Sequence, residues 1–91
     1  MLTVSTSFQD RTMEGWNPLL YVNGVWFQDV AESLGAHEGM PVLVIEHDGD
    51  DVIKGTGVLS WRKGVSLLAE QWVAVIDDRT ILSYPAETKN K

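Results

Sequence analysis

A chain of 91 residues with no cysteine and a formal net charge of −6 has room for one domain. A disulfide-stapled secreted scaffold is excluded, so a reducing cytoplasm is the expected setting. Hydrophobic residues make up 44%, which argues against disorder. The longest apolar stretches, Pro41–Ile45 and Trp72–Ile76, are far too short to span a bilayer.

The opening residues, Met1–Thr6, have neither the basic region nor the apolar run of a signal peptide. Leu2-Thr3-Val4-Ser5 alternates as a half-buried strand does. Residues 7–17 are polar and read as a loop. Leu19–Val22 follows Pro18 and reads as a strand. Asn23-Gly24 is a two-residue hairpin signal. Trp26, Val30 and Leu34 then recur at helical spacing, with Asp29, Glu32 and Ser33 opposite. A helix is predicted at about 26–34, stopped by Gly35. Pro41–His47 reads as a strand that its leading proline keeps from being central there. Asp48-Gly49-Asp50-Asp51 is turn chemistry. A strand follows from Val52 to Trp61, with a bulge or bend expected at Gly55 and Gly57. Arg62-Lys63-Gly64 reads as a turn, then Val65–Leu68 and Trp72–Ile76 as strands, Leu67–Gln71 being readable as a helical turn. Asp77-Asp78-Arg79 turns into a last strand, Thr80–Tyr84, ended by Pro85. Residues 86–91 are expected to form a flexible tail. The predicted fold is mainly β over residues 1–85: a small barrel or curled antiparallel sheet with one short helix.

Residues 2–53 resemble the SymE-like toxin family and, more distantly, the AbrB-like swapped-hairpin transcription factors. An opening strand (Leu2–Ser5) is followed by a Pro-led strand with Gly-x-Trp (Pro18 to Phe27). Then come a helix closing in Leu34-Gly35 and a Gly-led strand from Gly39. The resemblance implies an intertwined homodimer. It further implies a toxin–antitoxin or regulatory setting with RNA cleavage or nucleic-acid binding. The charges depart from it. Residues 1–53 hold nine acids and one base, Arg11, a net −8, whereas residues 54–91 hold four acids and six bases, a net +2. Nucleic-acid affinity depends on cations against several phosphates, and the matched segment would repel them.

Four sets of residues carry candidate chemistry. Asp29, Glu32, Glu38, Glu46, Asp48, Asp50 and Asp51 form a candidate acidic surface for a basic protein partner. Trp26, Phe27, Val30 and Leu34 form an apolar stripe, suited to the core or to a dimer interface. Lys54, Trp61, Arg62, Lys63 and Arg79 form a candidate nucleic-acid patch, an aromatic among cations at a hairpin tip. His37 and His47 are the only imidazoles; a zinc site would need both together with carboxylates such as Glu38 or Asp48. The acidic turn lacks the alternating ligands of a calcium loop. Gly55-Thr56-Gly57 lacks the rest of a phosphate-loop fingerprint, and no serine sits in a nucleophile elbow.

The sequence therefore predicts a cytoplasmic, homodimeric binding or regulatory protein of toxin–antitoxin or phage-defence type. It is expected to act through its acidic surface without metal, cofactor, membrane or catalytic centre. A SymE-like RNA-cleaving toxin and an SH3-like interaction module are the alternatives.

Overall fold

The structure is a computed structural model that describes residues 1–63 and 70–85. Its strands are β1 (Leu2–Ser5), β2 (Trp16–Pro18), β3 (Tyr21–Val22), β4 (Val25–Trp26), β5 (Pro41–Asp48), β6 (Asp51–Lys63), β7 (Glu70–Ile76) and β8 (Leu82–Pro85). One helix, α1 (Phe27–Val30), follows β4, and single 3₁₀ turns lie at Phe8–Asp10 and Asp78–Thr80. The sheet runs β1-β5-β6-β7-β2, with β8 also on β6, while β3 and β4 form a separate hairpin. The mainly β fold with one short helix is as predicted, but the sheet does not close into a barrel.

The backbone centres on β5–β6, joined through a turn in which Gly49 takes φ 62°. Their ladder runs unbroken from Pro41↔Val58 to Asp48↔Asp51, so the expected bulge at Gly55 and Gly57 is absent. The glycines serve close approach instead. A Cβ on Gly57 would lie 2.1 Å from the Val75 carbonyl oxygen, and one on Gly55 would lie 3.1 Å from Ile76 Cγ2 and Ile81 Cγ1. Between them β6 changes neighbours. Its residues 51–54 pair with β8, and residues 57–63 pair with β7.

Several boundaries differ from the sequence reading. β5 is internal from Val42 to Ile45, flanked by β1 and β6, while at Pro41 it pairs with β6 alone, as the leading proline predicts. Pro41 fits because the β1 register begins one residue later, at Leu2↔Val42, so no bond is lost on that side. That pairing is parallel, not part of an all-antiparallel sheet. Trp16 and Asn17, read as loop, form with Pro18 an edge strand on β7. Of the expected strand 19–22 only Tyr21–Val22 is extended into a ladder; Leu19 is buried. Arg62 and Lys63 continue β6 rather than turn, and the last strand starts at Leu82. The expected strand at 65–68 and the tail at 86–91 lie outside the described residues.

The predicted helix at 26–34 is shortened to one turn. Its path continues as turns, with Leu34 N–H donating to Val30 O at 3.0 Å and Ala36 N–H to Ala31 O at 3.0 Å. Gly35, with φ 77°, is the left-handed residue such a helix end needs. The Asn23-Gly24 turn is as expected: both residues have positive φ, 51° and 80°, the type I′ requirement.

Alternation of side chains puts Val4, Val42, Val44, Leu59, Ala74 and Ile76 on one face of the sheet. Phe27, Leu19, Val22 and Ala31 pack on that face and complete the core. Two devices close parts of the sheet's edges. Segment 16–21 ties to the end of β1: Thr6 Oγ1 donates to Pro18 O at 2.5 Å, and Leu20 N–H to Ser5 O at 2.9 Å. Beyond β2, the Gln28 side-chain amide replaces a strand. Its Nε2 donates to Trp72 O at 3.0 Å while its Oε1 accepts from Trp72 N–H at 3.1 Å. No helix among the described residues is long and apolar enough to cross a membrane.

Candidate functional site

The acidic residues do not share one surface. Asp29 sits on α1 and Glu32 in the turns after it, both exposed. Asp48, Asp50 and Asp51 are exposed around the β5–β6 turn. Glu38 lies at the opposite end of that ladder, where its carboxylate accepts from Ser60 Oγ at 2.6 Å and from Trp61 N–H at 3.0 Å. These two bonds, with Arg62 adding a smaller attraction, hold the Glu38 carboxyl below its ordinary value. Glu46 accepts from Phe8 N–H at 2.8 Å and pins the first 3₁₀ turn. Glu38 and Glu46 are therefore structural acceptors. From residue 41 to residue 48 a strand spans about 24 Å at about 3.4 Å per residue, which separates Glu38 from the turn acids.

The cations are also dispersed. Lys54 and Arg62 are roughly 26 Å apart along β6 at about 3.3 Å per residue. Each is taken up by an aromatic ring: Lys54 Nζ lies 5.4 Å from the Tyr84 centroid and the Arg62 guanidinium 5.2 Å from that of Trp16. Trp61 and Lys63 alternate to the other face. Trp61 meets Trp72 edge-on, with centroids 5.2 Å apart. Arg79 is held by Asp77 through Nε and Nη2, both at 3.1 Å. That contact raises the Arg79 pKa and, with the Arg79 backbone N–H, lowers that of Asp77. The five residues proposed from sequence as a nucleic-acid patch thus lie at different ends and on different faces of the sheet.

The histidines stay apart too. His37 Nδ1 donates to Gly35 O at 2.9 Å before β5, and His47 is exposed near the far end of β5. Among the described residues no group of three His, Asp or Glu side chains could hold a metal ion.

The apolar stripe divides. Phe27 is fully buried in the chain's own core, and Val30 packs against it, so Phe27 is a core residue and not part of an open interface. Trp26 and Leu34 remain exposed. Tyr21 and Val25, which the sequence reading did not single out, are exposed with them. Tyr21 and Trp26 are cross-strand partners whose rings meet at 73° with centroids 5.5 Å apart. The signal for this pair was present: a two-residue turn at Asn23-Gly24 forces residues 21 and 26 opposite each other. Nothing in the sequence marks Gln28 as the group that closes the edge of β7.

Comparison with known proteins yields no family model, no curated protein and no solved structure that matches the chain.

Proposed function

We propose that this domain is a non-catalytic protein-binding module that meets its partner through the β3–β4 hairpin and the turns after α1. The carrying observation is the exposure of four large apolar side chains within residues 21–34: Tyr21 at 50%, Val25 at 46%, Trp26 at 37% and Leu34 at 37%. Exposed apolar side chains concentrated in one structural unit mark an interaction surface, and Trp and Tyr are the residues that most often anchor one. Asp29 and Glu32 lie in the same unit, both exposed. The partner surface is accordingly apolar with basic residues at its margin, a pairing that speeds encounter and fixes register. A toxin–antitoxin or phage-defence setting, as the SymE-like and AbrB-like resemblance implies, belongs to this proposal and rests on residues 2–53 alone. Direct nucleic-acid binding is disfavoured because the cations are scattered and each phosphate contact needs its own.

The test compares proteins co-purified from the source cell by wild type and by a Trp26→Ala/Asp29→Lys/Glu32→Lys variant. The variant should keep the far-UV circular dichroism of wild type and lose the specific partner. An unchanged set of co-purified proteins would sink this reading.

A further inference from the structure

The strands of the sheet differ in how their edges are closed. β7 is covered by β2 and then by the Gln28 amide. β2 is bonded on its far side by Thr12 and Thr6, with Thr12 N–H donating to Trp16 O at 2.9 Å. The end of β1 is taken by Leu20 and Tyr21. Strand β8 pairs with β6 along one edge, and among the described residues no hydrogen bond closes its other edge. Edge strands are commonly guarded by lysine, a bulge or an inward charge. Leu82-Ser83-Tyr84 carries none of these; its guards are its short length of four residues and Pro85 at the end. All four residues are exposed, Leu82 at 53% and Tyr84 at 43%.

We propose that this edge is a self-association site on which a second copy of the chain adds its own β8, antiparallel, about a two-fold axis at Ser83. The occupant is chosen by the strand itself. Antiparallel pairing centred on Ser83 sets Leu82 of each copy opposite Tyr84 of the other, on the same face of the joined sheet. The patch is self-complementary, as a two-fold interface requires, and an aromatic opposite an aliphatic is a favourable cross-strand pair. Inward on that face Val52 pairs with Tyr84, and Lys54 lies between Leu82 and Ile45 with its ammonium 5.4 Å from the Tyr84 ring centroid; Val52 and Ile45 are half-exposed. No charged residue lies on the strand to oppose its copy. What opposes association is the net charge of −6 on each chain, so added salt strengthens the dimer by screening. This site is separate from the hairpin surface proposed above, and either can fail without the other.

The test is the mass of the full chain by light scattering across a concentration series. The expected result is a shift from one chain to two, favoured by salt and lost in a Leu82→Lys/Tyr84→Lys variant of unchanged circular dichroism. Because the chain has no cysteine, Ser83→Cys provides a second readout independent of those side chains. Directly opposed residues lie about 4.5–5.5 Å apart between Cα atoms, within the disulfide range of about 4.4–6.8 Å. With oxidised glutathione it should form a linked dimer far faster than a Ser33→Cys control. A chain that stays single at every concentration and salt overturns the proposal. So does a dimer that survives Leu82→Lys/Tyr84→Lys, or cross-linking of Ser83→Cys no faster than the control.

Discussion

The two halves of β6 face opposite circumstances. From Gly57 to Lys63 it pairs with β7, with β5 on its other side only as far as Val58, and Leu59 is buried in the core with Phe27 and Leu19. From Asp51 to Lys54 it lies between β5 and the short, exposed β8. One strand thus belongs to a packed scaffold at one end and an open sheet margin at the other. Ladder pairing is present in both halves and is two-sided at Asp51–Lys54; what only the other half has is burial, at Leu59 and Ser60. Stability is therefore expected to reside in the Gly57–Lys63 half, and association in the Asp51–Lys54 half.

The comparison can be broken most forcefully from the packed side. Phe27→Ala empties the largest side chain of the core and should cost about 3–5 kcal/mol. A domain of this size holds roughly 5–14 kcal/mol in total, so thermal unfolding should fall steeply. Gly57→Ala places a methyl against the Val75 carbonyl and should cost about 3 kcal/mol, the upper end for overpacking. The same change at Gly55 meets only side-chain carbons, of Ile76, Ile81 and Phe8, and should be milder; equal losses would show that the backbone contact is not what makes Gly57 the tighter site. Gln28→Ala leaves the Trp72 N–H and C=O unpaired at a partly buried edge, worth about 1–3 kcal/mol. Its signature is faster amide exchange at Trp72 than at residues paired with β8. On the open side, Lys54→Gln removes an outlying cation–ring contact and should cost about 0.5–1 kcal/mol, read by urea denaturation. The gentlest probe is pH. The Glu38 carboxyl is held below its ordinary value, so its contribution is present above the unfolded pKa and lost as pH falls through the folded one. Glu38→Gln should lower stability in the neutral region and leave the acid end little changed, so that the acid limb flattens.

How much of this could be read in the sequence depended on how local the cause was. The Asn23-Gly24 hairpin, the acidic turn at 48–51 and the stop at Gly35 are set by backbone preferences of a few residues, and each is where the pattern put it. In β5 both faces carry apolar residues, Val42 and Val44 on one and Leu43 and Ile45 on the other, so alternation alone does not say which is buried; the structure buries Val42 and Val44. Non-local pairings were not legible. Trp16 and Asn17 look like loop because their strand character comes from β7, far along the chain. Gly55 and Gly57 suggested a bulge because glycine permits both a bend and a close neighbour, and only the position of Val75 decides. The candidate sets failed to gather for the same reason. Residues near in sequence, such as Trp61, Arg62 and Lys63, alternate across a strand, and Glu38 and Glu46 are used up by backbone and hydroxyl donors on segments 22 and 38 residues away.

The parallel pairing of β1 with β5 and the pairing of β2 with β7 have a further consequence, for the timing of folding. Leu2 waits for Val42, and Asn17 for Ala74, so neither early strand finds its partner until much of the chain has been synthesised. Such distant pairing slows collapse to the native state, toward the millisecond-to-second range of β-rich domains. During that interval Leu19 and Val22, later sealed in the interior, are open to solvent as the chain leaves the ribosome.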